Sequence, residues 1–161
     1  VTISERATAA GGTKTCESCG QPLKRARSEP DHRRFFALIA AAYANWPERH
    51  EFQPSSSEHL RAWLICKAGH YDVTTIPIED GHPAVAKLAT LAAEAAIKAA
   101  GTHAFVRPHG SALAVFAAKS IAWDKLSQRD FSPIRQAVED IIEAEVGVPV
   151  DRLLKEHERA A

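Results

Sequence analysis

Net charge is what this sequence lacks: twenty lysines and arginines cancel twenty aspartates and glutamates over 161 residues. That balance excludes a uniformly basic coat for nucleic acid. Long apolar runs are absent as well, so no segment reads as a bilayer span, and none reads as a secretory leader. Cysteine is scarce and odd in number, at three. Such usage argues against a disulfide scaffold and for a reduced, cytoplasmic setting. No G-x-S-x-G turn or comparable nucleophile motif occurs, and no internal repeat. What is present is 45% apolar residues, enough for one core. Residues 1–15, small and polar around Gly11-Gly12, read as a flexible tail. Residues 16–161 read as a single α+β domain.

The charge that is present is unevenly spread. Residues 14–34 carry a net of +3 and residues 130–161 a net of −4, giving the molecule a basic and an acidic end. The basic end begins with Cys16-Glu17-Ser18-Cys19-Gly20. A C-x-x-C turn lets two thiolates reach one ion, and a following glycine suits the tight backbone of a zinc knuckle. Cys66 and His70 are the natural second pair, which makes a four-ligand structural zinc site of Cys16, Cys19, Cys66 and His70. Two alternatives stand beside it: a buried core thiol at Cys66 with an exposed loop histidine at His70, and redox chemistry at the first pair. No strand precedes that pair and no helix begins on it, which weighs against the redox reading.

The local patterns predict four or five helices and a small antiparallel sheet with a hairpin. Ser28, Pro30 and Asp31 open a helix whose Phe35, Leu38, Ile39, Ala42, Tyr43 and Trp46 form a core stripe, stopped by Pro47. Ser57 caps a second helix running to Ala68, with Gly69 as its left-handed stop. Tyr71 to Ile76 alternates as a strand ended by Pro77. An alanine-rich helix follows over 84–100. Ala104–Arg107 and the run from Ala112 bracket the turn Pro108-His109-Gly110-Ser111. Ser132-Pro133 opens a helix that Gly147 ends, and Asp151 caps a short terminal helix.

Arg25, Arg27, Arg33 and Arg34 flank the start of the first helix, where backbone N–H groups already favour anions. Together they predict a phosphate clamp for DNA, with Phe52, Trp63 and Tyr71 as stacking faces. A solvated helix end and core aromatics are the plain alternatives. His32 on the same helix start suits a phosphate contact or a general base, or else a histidine satisfied by Asp31 or Glu29. Glu139, Asp140, Glu143 and Glu145 lie opposite the Ile134/Val138/Ile141 stripe and are expected to face water rather than hold two metals.

Three ordered blocks carry a resemblance. They are His32-Arg33-Arg34-Phe35-Phe36-Ala37-Leu38 ending at Trp46-Pro47, His59-Leu60-Arg61-Ala62-Trp63-Leu64 with Ala68-Gly69-His70-Tyr71-Asp72, and Lys119-Ser120-Ile121-Ala122-Trp123 leading into Asp130-Phe131. Over roughly residues 27–145 the chain resembles tailed-phage and prophage proteins of the domain-of-unknown-function family thirteen-sixty-seven. The opening Arg27-Ser28-x-x-x-His32-Arg33 is also similar to the start of phage recombination mediators of the NinB/Orf type, although the Gln-Asn pair of that segment is absent. The Cys16/Cys19 turn is a departure from the first family. The resemblance implies a phage origin, a host-cell cytoplasmic location and a role among replication and recombination accessories, with single-stranded DNA or recombination intermediates as ligand. The expected function is therefore a non-catalytic DNA-binding accessory protein. Its rivals are a module that binds a host or phage protein, and a metal-dependent nuclease using His32.

Overall fold

The computed structural model describes residues 28–78, 82–122 and 125–160. Cys16, Cys19, Arg25 and Arg27 lie outside the described residues, as do the predicted tail and knuckle. The chain runs α1 (Glu29–Ala44), α2 (Ser57–Lys67), β1 (Tyr71–Pro77), α3 (Pro83–Ala99), β2 (Ala104–His109), β3 (Ala112–Ala118), α4 (Gln128–Val146) and α5 (Val150–Ala160). This is the expected α+β arrangement, with five helices and one three-stranded antiparallel sheet among the described residues.

Serine caps start the first two helices. Ser28 Oγ accepts from Asp31 N in α1, and Ser56 Oγ, one residue before the expected cap, accepts from His59 N in α2. Each satisfies a donor that the first helical turn would otherwise leave open. α4 begins earlier than Ser132-Pro133 predicts. Ser127 accepts from Asp130 N and donates to its carboxylate at 2.6 Å, so the reciprocal cap forms five residues upstream. Pro133 is carried inside the helix at the cost of one backbone bond. Gly147, at φ +74°, closes α4 as expected. Asp151 is not the cap of α5. The Pro149 carbonyl accepts from Arg152 N and Leu153 N, and Asp151 sits in the first turn.

The core is helical. Phe35 and Leu38 of α1, Leu60 and Leu64 of α2, Phe131, Val138 and Ile142 of α4 and Leu153 of α5 are almost completely buried. Phe35 meets Phe131 edge-on at 5.4 Å. Gln128 clasps two helix starts, accepting from Ser28 N at 2.9 Å and donating to Asp31 at 2.8 Å. Tyr43, expected in the core stripe, is 39% exposed, because spacing defines a stripe but not how wide a sector the neighbours cover. Glu139 departs the other way. It is buried, with Arg135 at 2.7 Å and Arg34 at 3.9 Å as ion partners.

The sheet has the order β1-β3-β2. Gly110, at φ +60°, makes the tight β2–β3 turn. Pro77 ends β1 on an edge, where its missing donor costs no ladder bond. α3 packs against β2 and β3 without burying any of its residues. No helix among the described residues is long and apolar enough to cross a membrane.

Candidate nucleic-acid interface

Strand register builds an aromatic face. Val73 and Phe105 both pair with Phe116, which puts one side chain from each strand in a single row. Tyr71 and Arg107 lie two residues along from Val73 and Phe105, and so share that face. The Tyr71 ring meets Phe116 edge-on at 5.2 Å.

The loop after α1 and the outer side of α2 extend this face. Phe52 lies 5.8 Å from Phe105 and stacks on Trp63 at 4.9 Å and 4°. Its position is fixed by Trp46 Nε1, which donates to Phe52 O at 2.9 Å, and by His50 Nδ1, which accepts from Phe52 N at 2.9 Å. The His59 ring is stacked on Phe105 at 5.7 Å and on His103 at 5.0 Å.

Between these rings runs a groove of about 1120 Å³. Its cations are Lys67, Lys98 and Arg107, against the carboxylates Glu51 and Glu94. Lys67 Nζ sits 4.6 Å over Trp63 and 3.4 Å from Glu145. The rings offer π-faces to bases, and Lys98 and Arg107 beside them offer counter-charge to phosphates.

Two titratable groups in the groove are displaced from their ordinary ranges. Burial, and then the neighbouring His103, lower the His59 pKa, while Ser55 N and Ser55 Oγ lie 3.2 and 3.1 Å from its Nδ1. Burial pushes the Cys66 thiol up to about 11. His70 is also lowered, first by burial and then by Lys119, with a backbone bond to Ser120 and the charge of Asp72 opposing.

The residues singled out from sequence fall into two groups. Phe52, Trp63, Tyr71 and Cys66 come together along the groove. Trp63 is a core residue at 9% exposure, so it forms the floor rather than an open platform. Arg33 and Arg34 lie elsewhere and each meets acid: Arg33 reaches Glu29 at 3.0 Å, and Arg34 reaches Asp151 at 2.9 Å. The positive density expected at the entrance to α1 is thus partly neutralised among the described residues. His32 packs on Phe36 at 4.8 Å and lines a separate, smaller cavity. His70 Nε2 is buried without a hydrogen-bond partner among the described residues. No group of three or more His, Cys, Asp or Glu among the described residues is arranged to hold a metal.

Phe105, Phe116, Arg107, His59 and His103 escaped the sequence reading. For Phe105, Phe116 and Arg107 the signal was the Gly110-Ser111 turn, whose two-residue loop dictates the register that pairs Phe105 with Phe116; no local signal places His59 or His103. No family model matches the chain, and neither does any curated protein or solved structure.

Proposed function

We propose that this chain is a phage accessory protein that binds single-stranded DNA along the aromatic groove, without catalysis of its own. The observation that carries the reading is the alignment of Tyr71, Phe116, Phe105 and Phe52 in one groove with Lys67, Lys98 and Arg107 beside them. Stacking of successive bases on rings is tolerant of sequence, and cations flanking the rings follow the backbone. The resemblance of residues 27–145 to phage proteins supplies the biological setting of the proposal. A structural zinc on Cys16, Cys19, Cys66 and His70 belongs to the same proposal. His70 Nε2, buried without a hydrogen-bond partner among the described residues, is the kind of nitrogen a metal would satisfy.

The test is fluorescence anisotropy of a labelled single-stranded oligonucleotide in a salt series. Affinity is expected to fall steeply with salt. Tyr71→Ala and Phe105→Ala are each expected to weaken binding about tenfold, in line with roughly 1–3 kcal/mol per stacked base. Lys98→Ala with Arg107→Ala should flatten the salt slope. Absence of binding at low salt in a folded chain overturns the reading. A second reading, a protein-binding module, is favoured by the exposure of Val85, Leu88 and Leu91 on α3. It predicts a chain indifferent to oligonucleotides whose complex with a host or phage protein is lost in Leu88→Glu.

A further inference from the structure

The groove does not end at His103. That residue and Thr102 line both the groove and the smaller cavity beside it, which holds about 490 Å³. The second cavity is built differently. Its rings are few, and its polar lining is dominated by donors: Arg61 from α2, Lys119 just after β3, His32 from α1 and His103, with the Ser120 and Thr102 hydroxyls. Among the described residues Glu58 is the one carboxylate on its lining, and it is paired with Arg61. A guanidinium has five donors in a planar fork, so one carboxylate does not exhaust it. Arg61 also lies over the Phe36 ring at 5.4 Å, which restricts its orientation. Lys119 is joined to Asp72 at 3.3 Å by an exposed pair, of the kind that opens at little cost.

We infer that this cavity is a seat for the terminal phosphate of the strand held in the groove. The inference rests on the DNA-binding reading and sharpens it, making strand ends the preferred ligand. A phosphodiester within a strand carries one negative charge and two free oxygens. A terminal phosphomonoester carries close to two charges at neutral pH and three acceptor oxygens. Two cations, two imidazoles and two hydroxyls around one small cavity match the second group better than the first. Planar bidentate recognition by Arg61 provides the geometric selection. His32 and Phe36 of α1 line this cavity as well.

The experiment compares oligonucleotides of one sequence, labelled internally, that carry a 5′-phosphate, a 3′-phosphate or hydroxyls at both ends, with the full chain. One phosphorylated form is expected to bind about tenfold more tightly than the unphosphorylated form. That preference, but not the underlying affinity, should vanish in Lys119→Ala and in Arg61→Gln, with folding of each checked by circular dichroism. If Arg61→Gln fails to fold, Lys119→Ala alone decides the point. Equal affinity for all three strands would overturn the terminal-phosphate seat and leave the groove standing. No binding of any strand would overturn both. Adenosine monophosphate or inorganic phosphate binding as tightly as the phosphorylated strand would make this a small-anion site and overturn its assignment to strand ends.

Discussion

The rings of His59 and His103 lie one over the other, 5.0 Å apart at their centroids and 15° from parallel. Protonating both would bring two positive charges into contact. Burial first, and His103 second, accordingly hold His59 below its ordinary 6.5, and in the metal-free chain His70 is held down by burial and Lys119. As pH falls through 6.5 the unfolded chain takes up these protons before the folded one does. Stability is therefore complete above that point and declines until pH has passed the folded values. Thermal melts between about pH 7 and about pH 5 should show this decline, and His59→Phe should make it shallower. Proton NMR of the His59 ring should give a midpoint under 6.5, and a midpoint above it would contradict the stacking argument.

Cys66 should be a poor nucleophile. With its thiol pushed up to about 11 by burial, roughly one molecule in a thousand is thiolate at pH 8. In a metal-free chain carrying Cys16→Ser and Cys19→Ser, alkylation by iodoacetamide should be far slower than for an unfolded control. Occupancy of the groove by an oligonucleotide should slow it further. Labelling at the rate of the unfolded control would show the thiol to be free in solution.

Two arginine-carboxylate pairs should behave unequally. Arg135 and Glu139 are 22% and 12% exposed, whereas Arg33 and Glu29 are 79% and 75% exposed. Removing the buried acceptor with Glu139→Ala strands Arg135 and is expected to cost roughly 2–4 kcal/mol. Arg33→Ala should change stability by less than about 0.5 kcal/mol. Urea denaturation of both variants tests the contrast, and equal effects would contradict the burial argument.

Core truncation sets the upper end of the scale. Phe35 is completely buried and touches both Phe36 and Phe131 edge-on. Phe35→Ala should cost about 3–5 kcal/mol. A loss below about 1 kcal/mol would mean that α1 is not anchored there.

Elemental analysis of the purified full chain should find about one zinc per molecule if the four-ligand proposal holds. The metal should be lost when Cys16 and Cys19 are both changed to serine, and weakened in His70→Ala. A zinc-free chain whose melting temperature is unmoved by a chelator would remove the ion from the account.

Much of the chain's local order was readable before any coordinates. Ser28, Gly69 and Gly147 are short-range signals, because capping is settled within a few residues. Pro133 misled because proline at a helix start and proline one turn inside look alike in sequence. Only the competing Ser127–Asp130 cap separates them. The groove was less legible. Phe52, His59 and Phe105 approach one another through packing of a loop, a helix and a strand, and no spacing rule joins them. Arg34 likewise meets Asp151 across 117 positions, so its neutralisation could not be read from the run of bases around it.

α3, in which no residue is fully buried, gives the two sides of the molecule unequal resistance to opening. The helical side is anchored by the large interior side chains of α1, α2, α4 and α5, while the sheet contributes only Leu113 to the buried residues. Amide exchange should therefore proceed sooner through α3 and β2 than through α1 or α4. A cleft with one firm bank and one yielding bank can accept guests of differing girth while its foundations stay folded.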